Sequence, residues 1–202
     1  FYDISDGGQL NHLDHFNLGQ NGKANCVEAY DNHAYFTSKN GLYVVNISNP
    51  SNPQSFGVVN GTNNLILENL DADDDLLAVA AHVEGVLLYD ISNPQNLQLL
   101  SIIASTNAWG VRLKDGYAYI EDEQFVKIYD ISNSSNPLFI NQIETSNAVK
   151  DIALTQSFMY VALGSDGVNI YDFSNPEFPM FLDNFNTNTL ANRISPFENK
   201  LA

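Results

Sequence analysis

Cysteine and cationic residues are scarce in this sequence, and each shortage excludes a class of protein. The single cysteine, Cys26, excludes an internal disulfide and any metal site built from several thiolates. We expect it to be a buried thiol rather than a nucleophile, because it is predicted to lie on an innermost strand and no His is adjacent to it in sequence. Eight Lys and Arg residues stand against 24 Asp and Glu residues, a formal net charge of −16. Nucleic acid and anionic membranes are therefore excluded as expected partners, since both are held by cationic contacts.

Long apolar runs and helical periodicity are also missing. No run of 18 apolar residues occurs, so no membrane span is predicted, and no signal peptide opens the chain, which we interpret as mature or excised sequence. Apolar residues alternate with polar ones, and Asn, Gly, Ser and Pro interrupt them every eight to twelve residues. This pattern predicts short β-strands throughout. Nucleophile elbows, phosphate loops and zinc-protease motifs are absent as well.

One phrase recurs along the whole chain. Segment 89–94 reads Tyr-Asp-Ile-Ser-Asn-Pro, and variants of it begin at residues 2, 45, 129 and 171. Its acidic or amide residue lies at Asp3, Asn46, Asp90, Asp130 and Asp172, with spacings of 43, 44, 40 and 42 residues. A period near 42 with four short strands per repeat predicts an all-β fold, a β-propeller of four-stranded antiparallel blades.

The phrase is predicted to be a strand followed by a turn. The side chains of Asp90, Ser92 and Asn93 can each bond the backbone ahead, and Pro94 has no N–H to offer a sheet. Asn46 takes the place of Asp in one copy, where it keeps the acceptor oxygen and loses the charge. The repeated residue is therefore predicted to serve hydrogen bonding rather than metal ligation.

The unbroken period predicts a single domain over residues 1–202. The repeats run approximately over 1–20, 21–62, 63–105, 106–147, 148–188 and 189–202. This division favours about five blades, four complete and one split between the termini, over a fragment of a six- or seven-bladed propeller. We name the strands of each blade A to D from the axis outward. In the first full repeat they are predicted over 24–30, 34–38, 41–48 and 54–59, and the second repeat is predicted to carry an enlarged A–B hairpin at 71–75.

The repeats resemble the LVIVD-repeat family over essentially the whole chain. The similarity lies in Ala-x-x-Val in strand A, an Ala-Tyr-Val-like strand B, and Gly-Val-x-Ile-Tyr-Asp before the turn, as at 167–172. Segments 45–47 and 124–126 depart from the pattern. The resemblance implies a β-propeller on an exported or surface-attached, mainly bacterial protein. It also implies a motif without catalytic residues and a biochemical role that is generally unassigned.

Candidate ligand-binding residues fall on the loops that join strand D to A and strand B to C. In a propeller these loops meet at one mouth of the central channel. Trp109, the single tryptophan, is suited to stacking a sugar or anchoring a peptide, although filling space between blades is the favoured alternative. The predicted mouth residues are Asn25, His82, Trp109, Asp122, Lys150, Asp151, Asn192 and Arg193.

A calcium site is the weaker of two interpretations of an acidic segment. Asp71, Asp73, Asp74 and Asp75 offer the oxygen ligands that Ca²⁺ prefers, without the Gly and distal Glu of an EF-hand loop. A solvated acidic turn on the face opposite the mouth is favoured. No cofactor is predicted.

The leading hypothesis for function is a non-enzymatic propeller that binds a protein or a glycan through one face. The resemblance implies a secreted, cell-surface or periplasmic location. The alternative is a hydrolase or lyase that uses the carboxylates of Asp122, Glu123, Asp151 and Asp166, with Arg193 or Lys150, at the mouth. Two carboxyl groups about 5 to 9 Å apart in one pocket would favour the enzyme.

Overall fold

A computed structural model describes residues 2–3, 11–12, 23–197 and 200–201. It contains four four-stranded sheets, in each of which every strand pairs antiparallel with the next one in sequence. The strands are β1 (Tyr2–Asp3), β2 (Asn11–His12), β3 (Ala24–Tyr30), β4 (His33–Ser38), β5 (Gly41–Asn46), β6 (Gln54–Val58), β7 (Leu70–Asp73), β8 (Leu76–Ala80), β9 (Val86–Asp90), β10 (Gln98–Ile103), β11 (Ala108–Lys114), β12 (Tyr117–Asp122), β13 (Phe125–Asp130), β14 (Leu138–Glu144), β15 (Asp151–Leu154), β16 (Phe158–Ala162), β17 (Val168–Asp172), β18 (Met180–Phe185), β19 (Pro196–Phe197) and β20 (Lys200–Leu201).

The four sheets are the blades of the predicted propeller. The first strand of each blade is the innermost, since β7 contacts both β3 and β11, and β11 contacts β15. The hydrophobic clusters lie between successive blades: Tyr35 and Val44 of the first blade share one cluster with Leu77 and Val79 of the second. Central strands are therefore buried on both faces, as in β8 and β9, whereas the outermost β18 is exposed along its length.

Three of the four A–B turns are two-residue hairpins with a positive φ at both residues. The φ values are 40° and 59° at Asp31 and Asn32, and 45° and 59° at Asp74 and Asp75. This is the type I′ geometry that matches the twist of paired strands. The enlarged hairpin at 71–75 was a wrong prediction, because residues 71 and 73 belong to β7.

The recurring phrase forms the same turn in every described blade. The side-chain oxygen of Asp90 accepts a hydrogen bond from the N–H of Ser92 at 2.8 Å, and Asn46 accepts one from Ser48 at 2.9 Å. Asp130 and Asp172 repeat the contact two residues ahead, each at 2.8 Å. The predicted hydrogen-bonding role of this position is confirmed.

The start of a further inner strand lies against the fourth blade. Ala191 bridges to Gly164 just as Ala108 of the third blade bridges to His82 of the second. Ile194 packs against the last hydrophobic cluster.

The blade predicted to be split between the termini falls largely outside the described residues. Its described parts are two separate two-stranded sheets, β1 with β2 and β19 with β20. No helix in the described part of the chain is long and apolar enough to cross a membrane.

Candidate functional site

A cavity of about 820 Å³ lies at the end of the inner strands where the D–A and B–C connections meet. Five of the residues predicted for the mouth line it: Asn25, Trp109, Lys150, Asn192 and Arg193. The others in its wall are Ala24, Glu68, Asn69, Asn107, Glu121, Glu123, Ala148 and Val149. We call this space the mouth cavity.

Successive repeats contribute one equivalent side chain each to the mouth cavity. These side chains are Asn25, Glu68, Trp109, Lys150 and Asn192, spaced by 43, 41, 41 and 42 residues. The register shifts between residues 24 and 26 and again between 108 and 110, so Asn25 and Trp109 are the extra residues of β-bulges. Because a bulge redirects the inserted side chain, the position opens toward the mouth.

Trp109 is held by a histidine from the preceding blade. Trp109 is 43% exposed, and its ring centroid lies 4.3 Å from that of His82. His82 Nε2 lies 3.1 Å from Glu68 Oε1. The backbones of His82 and Ala108 exchange two hydrogen bonds of 3.0 and 3.1 Å. The indole is therefore fixed in place with part of its surface in solvent.

Glu121 is a buried carboxyl group in the wall of the mouth cavity. Its residue is 4% exposed, and its Oε1 accepts a hydrogen bond from the N–H of Ile152 at 3.1 Å. Burial, followed by the negative charge of Asp151, raises the pKa of Glu121 to about 7, while Arg112 and Arg193 act in the opposite direction. This carboxyl group consequently changes charge near neutral pH.

Asp151 is buried, and its carboxylate accepts hydrogen bonds from neighbouring inner strands. Its Oδ1 accepts a hydrogen bond from Arg112 at 2.7 Å, and its Oδ2 accepts one from the N–H of Ile194 at 2.8 Å. Asn69 is the equivalent residue of the second blade, and its Oδ1 accepts from the N–H of Val111 at 3.2 Å. Side chains at this position therefore satisfy N–H groups that no neighbouring strand reaches.

Asp122 and Cys26 are also held by neighbouring protein groups. Asp122 is 1% exposed and forms an ion pair with Lys127. Burial opposes ionisation of Asp122, yet hydrogen bonds from Lys127 and from two backbone N–H groups hold its pKa below the usual range. Cys26 is half-buried rather than fully buried, and its Sγ lies 3.6 Å from the Asn69 amide nitrogen that donates to it.

The four aspartates weighed for calcium do not converge. Oδ2 of Asp71 accepts a hydrogen bond from the N–H of Leu113 at 2.7 Å, and burial raises the pKa of Asp71 to about 6. Asp74 and Asp75 form the exposed hairpin tip. Among the described residues, no group of three or more His, Cys, Asp or Glu side chains is arranged to hold a metal ion.

Sequence reasoning missed Glu68, Asn69 and Arg112. The second repeat is predicted to begin near residue 63 with its inner strand starting at Leu65 and Ile66, but β7 begins at Leu70. Counting back from each two-residue A–B turn would have aligned Glu68 with Asn25 and Trp109. The sequence does place Glu121 with the carboxylates of the B–C loops, but it does not show that this side chain lies on β12 and reaches the inner strands across Gly110.

A sequence profile described as LVIVD repeat matches residues 21–61, 105–145 and 147–187, which together are more than half of the chain. The chain belongs to the LVIVD repeat family. The matched regions contain the first, third and fourth blades, so each matched LVIVD repeat corresponds to one blade. No curated protein matches the chain.

The similar solved structures show only the fold of this LVIVD repeat protein. A protein from Lactobacillus plantarum is 13% identical, with a TM-score of 0.77 over 94% of this chain and 65% of that protein. The computationally designed Ika8 protein is 15% identical, with a TM-score of 0.71 over 96% of this chain and 58% of the designed one. The WD40 β-propeller domain of Doa1 is 12% identical, with a TM-score of 0.66 over 89% of this chain and 60% of that domain. The LVIVD chain thus spans less than two thirds of these three structures.

Proposed function

We propose that this LVIVD repeat protein is a non-enzymatic, extracytoplasmic binding module that holds a protein or glycan ligand at the mouth cavity. The observation that carries the proposal is the placement of Trp109. It is exposed, braced by His82, and surrounded by polar side chains supplied at equivalent positions of successive blades. An aromatic ring fixed in this way offers a flat apolar surface at a low entropic cost of ordering.

The polar wall complements such a surface. Asn25, whose Nδ2 also donates to the carbonyl of Leu67 at 2.8 Å, and Asn192 line the cavity with amide groups. Lys150 and Arg193 add donors. Ligand pockets typically combine an apolar contact surface with a few polar groups that fix orientation. The recurring phrase, by contrast, is occupied with turn hydrogen bonds in each described blade, which supports a scaffold role for the repeat itself.

A second candidate function, a hydrolase or lyase, is favoured by one observation. The pKa of Glu121 is raised to about 7, by burial and then by the negative charge of Asp151. Two carboxyl groups whose environments separate their pKa values can act as a general acid and a general base. Against this, Glu121 Oε1 and Asp151 Oδ1 both accept hydrogen bonds from the N–H of Ile152 at 3.1 Å. Both carboxyl groups therefore accept the backbone N–H at the edge of β15.

The experiment uses the single tryptophan as its reporter. The protein is screened on glycan and peptide arrays, and each hit is titrated while Trp109 emission is recorded. We expect a saturable emission change and a loss of about tenfold or more in affinity in Trp109→Ala, because truncating an aromatic anchor costs about 2 kcal/mol.

Phe178→Ala is the matched control, since Phe178 is a comparably exposed aromatic residue at 53% and does not line the mouth cavity. Array binding that survives Trp109→Ala would overturn the proposed site. Turnover of a hit that disappears in Glu121→Gln would favour the enzyme instead.

A further inference from the structure

The cationic side chains are unevenly distributed over this acidic chain. Arg112, Lys114 and Lys127 each have a carboxylate partner. Among the cations whose side chains the structure describes, the other four form no ion pair with a described residue: Lys23, Lys39, Lys150 and Arg193. All four lie at the start of an inner strand or in a B–C turn, which is the mouth side of the propeller.

The opposite face carries the excess of negative charge. Its A–B and C–D turns include Asp31, Asp74, Asp75, Asp90, Asp115, Asp130 and Asp172. Lys114, next to one of these turns, lies 3.4 Å from Asp115 and is already paired. The mouth side also carries carboxylates, among them Glu68, Glu84 and Glu123, but it holds the unpaired cations that a negative group could contact.

We infer that the ligand is a glycan carrying a carboxylate, bound with a sugar ring against Trp109 and the carboxylate held by Lys150 and Arg193. The inference rests on the proposed function, because it names the ligand class of the same site. Asn25 and Asn192 match sugar hydroxyls, which both donate and accept hydrogen bonds. The carboxylates of Glu68 and Glu123 share the wall, so the site suits one carboxylate rather than a densely charged polyanion.

The test compares acidic glycans with their own carboxyl-reduced forms. Uronate-containing and sialylated glycans, before and after reduction of the carboxylate to an alcohol, are titrated against Trp109 emission. We expect the acidic form to bind about tenfold more tightly, the effect of one charge-assisted contact. Equal binding of both forms would overturn the carboxylate inference and leave the proposed glycan site standing. If neither form binds, the inference is overturned. A peptide that still binds in that case would show that the proposed site takes a protein ligand.

Three variants test which cationic residues hold the carboxylate of the ligand. Lys150→Gln and Arg193→Gln are each expected to lose about tenfold in affinity for the acidic form and little for the reduced form. Lys114→Gln removes the same charge from the opposite face and is the matched control. Loss of affinity in Lys114→Gln equal to that in Lys150→Gln would overturn the assignment.

Discussion

The carboxyl group of Glu121 occupies the space in which a side chain at residue 110 would lie. A Cβ built on Gly110 would overlap that carboxyl group. The equivalent positions of the second and fourth blades hold Asn69 and Asp151, whose own oxygens accept a hydrogen bond from the next inner strand. Glu121 supplies that acceptor from β12 where Gly110 has no side chain. In the third blade, the side chain of Glu121 on β12 thus takes the place of the side chain that Gly110 on β11 lacks.

Gly110→Ala is expected to destabilise the fold by about 1 to 3 kcal/mol, because the added methyl group displaces Glu121 from a well-packed site. Urea melts measure the loss. In a Glu121→Ala background the same substitution should cost clearly less, which a double-mutant cycle resolves. Equal costs in both backgrounds would show that the two residues do not interact in this way.

Stability should fall as the pH rises from about 5 to 8. The pKa of Glu121 is raised from 4.5 to about 7 and that of Asp71 from 3.8 to about 6, so the folded state binds more protons than the unfolded state between those values. Protonation therefore stabilises the fold, and this contribution is lost as pH rises through the folded pKa. Glu121→Gln should remove on the order of 2 kcal/mol of the difference measured by urea melts at pH 5 and pH 8. An unchanged difference in the variant would assign the dependence to other groups.

Asp90→Ala should cost about 0.5 to 1.5 kcal/mol, because the turn loses the acceptor for the N–H of Ser92. Asp90→Asn should cost much less, since Asn46 accepts the same bond in the first blade. Neither change should alter binding at the mouth cavity, which lies at the other end of the blades. Urea melts of the two variants make the comparison. Equal damage would mean that the charge at this position matters rather than the hydrogen bond.

Millimolar calcium is expected to leave the melting temperature unchanged. The Asp71 carboxylate is occupied by the N–H of Leu113, and the described residues form no cluster suited to a metal. A cation that binds only the folded state would raise the melting temperature with its concentration. Thermal melts with calcium and with chelator test this directly, and a rise that Asp74→Asn abolishes would restore the calcium site.

The sequence by itself determined the architecture and the place of the mouth. Its period near 42, its two-residue turns and its alternating strands are local signals, so blades such as β3 to β6 were predicted to within two or three residues. The equivalence of Asn46 and Asp90 also revealed the purpose of the repeated turn, because a substitution that keeps only the acceptor identifies hydrogen bonding.

Only the tertiary structure decided which polar residues face the mouth and which support the blades. Asp122 and Asp151 were predicted to be ligand-binding residues, but they are buried against Lys127 and Arg112. Glu121 looked like an ordinary loop carboxylate, yet it spans Gly110 to reach Ile152. The reason is physical: inner strands have an unpaired edge, and the side chains that satisfy it come from positions about 30 to 43 residues away. Repeat spacing brings those positions into register, but only the packed blades show which oxygen meets which N–H.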